Sequence, residues 1–65
     1  MKFRIKEVRE EKHLTQQELS LKSGVSRNLI ARLETGELKS TSTDTLFKLA
    51  NALNVKVEFL FTETV

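Results

Sequence analysis

Arg27, Asn28 and Arg32 lie within one short segment, RNLIARLE, in which Ile30 and Leu33 fall on one side of a helix. Arg27, Asn28, Ala31 and Arg32 then fall off that apolar side, with Arg32 about one turn beyond the first pair. Their chemistry is specific. A guanidinium can donate two parallel bonds to the O6/N7 edge of guanine, and a carboxamide can pair in the same way with the N6/N7 edge of adenine. Arg27 and Asn28 also occupy the first helical turn, the end that carries free amides and a partial positive charge. A short helix offering Arg, Asn and Arg outward has the shape and donors to read a major groove. A merely solvated charged face would contain the same residue types, so the elements around the segment must decide.

Those elements are strongly punctuated. Thr15-Gln16-Gln17-Glu18 is a capping box, with Thr15 placed to accept from the Glu18 amide and Glu18 to reach back. Leu19 starts a buried stripe, and Ser20 is small enough for another helix to cross closely. Gly24 supplies the positive φ of a sharp stop. Val25 is an apolar plug, Ser26 a second N-cap, and Gly36 a second C-terminal glycine. The stretch Thr15 to Gly36 therefore reads as two short helices about a tight turn, the second presented outward.

This stretch resembles the helix-turn-helix of the phage Cro and repressor family, also called the xenobiotic-response-element family. The matching residues are Leu14-Thr15-Gln16, Glu18-Leu19, Lys22-Ser23-Gly24-Val25-Ser26, Ile30, and Leu33-Glu34 followed by Gly36. Arg4-Ile5-Lys6 and Arg9 match before them, and Asp44-Thr45-Leu46, Leu49-Ala50 and Ala52-Leu53 after them, so the likeness covers nearly the whole chain. It implies an all-α, lambda-repressor-like DNA-binding domain, a compact bundle of five short helices with the helix-turn-helix formed by helices 2 and 3. It also implies that Gln16 touches a DNA phosphate and that Ser26, Arg27, Asn28 and Arg32 face bases or flanking phosphates. In the family an Arg and a Glu at the positions of Arg9 and Glu34 make a partly buried ion pair. That pairing would offset a negative charge in the last turn of helix 3, where the helix dipole disfavours it.

Bulk properties narrow the alternatives. The 65 residues suit a single domain, 1–65, which must be compact to be stable. There is no cysteine, hence no disulfide, thiolate nucleophile or cysteine-based zinc site. His13 is the only histidine, and without partners it suits a positive-φ helix stop better than a metal ligand or general base. No metal, cofactor or enzyme activity is expected. The start, MKFRIKEVREEK, is charged throughout and does not read as a signal peptide. No apolar run exceeds three residues, far below the roughly 20 that span a bilayer, so no membrane association is expected. The expectation is a cytoplasmic, nucleoid-associated protein. The net charge is only +2, but it is uneven: residues 1–12 carry five basic and three acidic side chains, and residues 35–65 three basic and four acidic. The positive field belongs to the half that holds the motif.

In chain order, helix 1 is expected over about 3–12, although Met1, Phe3 and Ile5 also alternate as a short strand would. Helix 2 is expected over about 16–23 and helix 3 over about 27–34. Glu37 to Thr41 is a loop that keeps only Lys39 where the family often has several basic residues. Ser42 caps helix 4, about 43–53, whose Leu46, Leu49, Ala50 and Leu53 recur at i, i+3, i+4 and i+7. Asn54 is a left-handed stop. The tail around 56–61 fits either a short fifth helix or a strand. Phe47, Phe59 and Phe61 are many aromatics for so small a core and form a candidate dimer surface.

The function expected is sequence-specific binding of double-stranded DNA by a transcriptional regulator, a repressor acting as a homodimer on a palindromic operator. Arg27, Asn28 and Arg32 would read bases, and Gln16, Gln17, Ser26, Lys39 and Ser42 would hold the backbone. The rival is an antitoxin or protein-interaction module whose main partner is another protein, a role the weak net charge and depleted loop favour.

Overall fold

In the computed structural model, which describes residues 3–38 and 40–60, four α-helices follow in order: α1 Ile5–Glu11, α2 Gln16–Ser23, α3 Arg27–Thr35 and α4 Thr43–Leu53. A 3-10 turn, Val57–Leu60, takes the place of a fifth helix. The architecture is all-α. The reasons for each boundary are local. Thr15 Oγ1 accepts from the Glu18 amide at 3.0 Å while Glu18 Oε1 accepts from the Thr15 amide at 2.8 Å, so both halves of the capping box are made. Ser26 Oγ caps α3 through the Leu29 amide, and Ser42 Oγ caps α4 through the Thr45 amide, each at 3.1 Å. Gly24 (φ +78°) and Gly36 (φ +87°) stop α2 and α3 in the left-handed region. His13 and Asn54 adopt the same conformation without being glycine, at φ of +59° and +60°.

Helix α1 starts at Ile5 rather than Phe3. Phe3 has extended, bridge-type backbone, and the Arg4 amide donates to the Leu60 carbonyl at 2.6 Å. The alternation at the N-terminus thus has a physical outcome. The first described residues pair with the end of the 3-10 turn before the helix begins, and the two ends of the described chain meet there.

The core is formed by Ile5, Val8, Leu19, Val25, Ile30, Leu33, Leu49, Ala50, Leu53 and Leu60. Leu46 is also buried. Helix α2 packs on α3 and α4, α4 on the 3-10 turn, and α1 on α3 and α4. Leu60 is fully buried, so the tail contributes to the core through this leucine, while Phe47 and Phe59 stay about half exposed (51% and 46%). Phe59 is covered on one face by the Arg4 guanidinium, 5.3 Å from the ring centroid. Phe61 lies outside the described residues.

Candidate nucleic-acid interface

The turn between α2 and α3 is tied more tightly than glycine alone would require. Ser20 Oγ donates to the Val25 carbonyl at 2.6 Å, and Ser23 Oγ accepts from the Val25 amide at 3.1 Å. Ser20 therefore does more than permit a close crossing: it fixes the angle at which α3 leaves the turn. Val25, Ile30 and Leu33 then anchor α3 to the core, and Arg27, Asn28 and Arg32 are left exposed on its other side. Leu29 is partly buried against the core, which removes most of the apolar surface it could offer to a base.

Beneath this helix lies a polar network. Arg9 Nε donates to Glu34 Oε2 at 2.8 Å, Arg9 Nη2 to Glu34 Oε1 at 3.2 Å, and Arg9 Nη1 to the Leu14 carbonyl at 2.7 Å. The pair is largely removed from water, the side chains being 11% and 3% exposed. The hydrogen bonds from Arg9 to Glu34 push the Arg9 guanidinium further above its ordinary range, so it stays charged whenever the fold is intact. Gln16 joins this network, its Nε2 donating to Glu34 Oε1 at 3.0 Å. Its reach toward a phosphate is thus narrowed to the second amide hydrogen on Nε2, which points away from Glu34. The coupling of Gln16 to Glu34 was not foreseen from the residues. Helix spacing relates neighbours along one helix, and this contact joins α2 to the last turn of α3.

The other expected backbone residues are differently placed. Gln17, Ser26 and Ser42 are exposed. The hydroxyls of Ser26 and Ser42 cap helices, and Ser42 Oγ also lies 2.9 Å from Thr45 Oγ1. Lys39 lies outside the described residues. Among the described residues the capping box uses the amides of Thr15 and Glu18 and leaves those of Gln16 and Gln17 without a partner. They are the donors that the first turn of a helix can offer to an anion.

A further contact was also unforeseen. Arg32 Nε donates to Glu37 Oε2 at 2.9 Å, and Arg32 Nη2 lies 2.8 Å from the same oxygen. In the sequence, Glu37 opens the loop that keeps only Lys39 where the family often has several basic residues. The contact depends on the path the chain takes after the left-handed Gly36, which residue spacing does not set.

A helix-turn-helix family model matches residues 5–60. The chain belongs to the Cro and repressor type of this family. Two curated relatives, each named an uncharacterized HTH-type transcriptional regulator of Archaeoglobus fulgidus, are both 39% identical over 61 residues. The aligned region covers 94% of this chain and 84% and 86% of the two relatives. No solved structure matches the chain. The family is one of DNA-binding transcription regulators. Among the described residues no helix is long and apolar enough to cross a membrane.

Proposed function

We propose that this protein binds double-stranded DNA sequence-specifically, as a cytoplasmic transcriptional repressor that acts as a dimer on a palindromic operator. The observation that carries this reading is the outward exposure of Arg27, Asn28 and Arg32 on a helix held to the core on its opposite side. Helix α3 enters the major groove, with those three side chains on base edges. The free amides of Gln16 and Gln17, together with the side chains of Gln16, Gln17, Ser26, Ser42 and Lys39, fix its register on the phosphates. Selection from a random duplex library tests this directly and is expected to return one enriched motif. Binding to that motif weakens linearly on a log–log salt plot, with a slope of about −0.9 for each phosphate neutralised. No enriched motif, or affinity indifferent to salt, refutes the reading.

The dimer is proposed from Phe47 and Phe59, exposed aromatics on a chain this small, with Phe61 as a third candidate. A two-fold dimer sets two recognition helices about 34 Å apart, on half-sites one turn apart. Sedimentation at high micromolar concentration is expected to give twice the 7.5 kDa chain mass, and a monomeric mass there refutes the dimer. The same phenylalanines favour the rival reading, in which the main partner is another protein, as for an antitoxin. The salt plot separates the two, because an apolar protein contact lacks the counterion slope of a duplex.

A further inference from the structure

We propose that Glu37 is a positioning residue for base readout: it grips one edge of the Arg32 guanidinium and leaves the adjacent edge squared to a guanine. This rests on the DNA-reading role proposed above and adds a determinant of its specificity.

A guanidinium has two edges able to make paired bonds, the side formed by Nε with Nη2 and the end formed by Nη1 with Nη2. One oxygen of Glu37 occupies the side, at 2.9 Å from Nε and 2.8 Å from Nη2. Among the described residues Nη1 has no partner. The end therefore remains whole, and it matches the O6/N7 edge of guanine.

The clamp is built by the backbone. Gly36 turns the chain back at φ +87°. The Leu38 amide donates to the Arg32 carbonyl at 3.1 Å, and Leu38 packs against the core. Thr35 Oγ1 donates to the same carbonyl at 3.3 Å and accepts from the Glu37 amide at 3.4 Å. Glu37 is thus held from both sides to the residue whose side chain it grips. An isolated exposed pair of this kind contributes little to stability. Its effect lies in removing rotamers from a long side chain before a ligand arrives, which lowers the ordering cost of binding. The carboxylate also repels phosphate, so Glu37 weakens indiscriminate binding while favouring the one contact it aligns.

The test compares wild type with Glu37→Gln, Arg32→Ala and the double variant on the selected duplex, on duplexes substituted at each base pair, and on random DNA. For Glu37→Gln the expected result is a gain in affinity for random DNA. Discrimination at the single base pair that Arg32→Ala also relaxes falls about 5- to 10-fold, at the lower end of the range a bidentate contact provides. In the Arg32→Ala background Glu37→Gln changes discrimination nowhere. If Glu37→Gln tightens binding to every duplex equally, Glu37 is only a counter-charge and the proposal is overturned. A readout without DNA separates this failure from failure of the DNA reading. In the free protein the Arg32 Nε–H should give a resolved NMR signal that Glu37→Gln removes and Arg27→Ala leaves in place. Absence of that signal in wild type overturns the clamp even where DNA is read. The signal present with no duplex preferred overturns the DNA reading, and the proposed role with it.

Discussion

Replacing Arg27 with alanine is expected to weaken binding to the preferred duplex by about 1–3 kcal/mol and to relax selection at one base pair. Arg27 is the first residue of α3 and is exposed. Removing it deletes no core contact, so thermal stability should stay within about 0.5 kcal/mol of wild type, as for surface substitutions generally. The loss is then a loss of readout. Affinity for random DNA should fall much less, by the single charge removed. A Gln16→Ala variant provides the contrast: if Gln16 holds a phosphate as proposed, its loss is expected to weaken all duplexes alike, because a phosphate contact carries no sequence information. Titration of both variants against the selected duplex and a scrambled one makes the distinction. Equal loss of Arg27→Ala on the two duplexes excludes a base-reading role for that residue.

The second large effect is on folding. Arg9→Ala is expected to cost about 3 kcal/mol, because it strands the Glu34 carboxylate with Gln16 as its only partner among the described residues, in a site nearly closed to water. It also removes the donor to the Leu14 carbonyl at the junction between α1 and α2. A chain of 65 residues has a total stability of only about 3–10 kcal/mol, so this single change can leave a large unfolded fraction. Arg9→Met with Glu34→Leu is expected to recover most of the loss, since apolar groups of similar volume tolerate the site once neither charge is left alone. Urea unfolding of the single and double variants measures the coupling. A change for Arg9→Ala within about 0.5 kcal/mol shows that the pair behaves as two independent surface charges.

These two residues illustrate two kinds of legibility. Arg27 could be placed by local rules: a serine cap before it, an apolar i, i+3 pair on the far side, and a glycine stop after it. The same rules locate the caps at Thr15 and Ser42 and the left-handed stops at Gly24 and Asn54. Each depends on residues within a few positions, whose interactions are set by helix geometry. Arg9 and Glu34 are 25 residues apart; the helix dipole calls only for some positive charge beside Glu34, and it is the family resemblance that singles out Arg9. The tail shows the limit of periodicity. Val55, Val57, Phe59 and Phe61 alternate as a strand would, yet Val57–Leu60 form a 3-10 turn that buries Leu60 and leaves Phe59 half exposed. A short apolar run favours whichever backbone lets its best-fitting side chain reach the remaining gap in the core, and the gap exists only after the other helices pack.

By itself, the sequence determined the helical punctuation, the apolar stripes of α3 and α4, and the outward set of Arg27, Asn28 and Arg32. These follow from capping chemistry and a 3.6-residue period, both local. Tertiary structure alone decided that Gln16 turns onto Glu34, that Ser20 locks the turn through the Val25 carbonyl, and that Glu37 folds back onto Arg32. Each of those contacts depends on the relative placement of elements or on the path of the chain after a stop. Hydrogen-bond geometry is sensitive to fractions of an ångström, a precision that residue spacing does not carry and that packing of the core supplies.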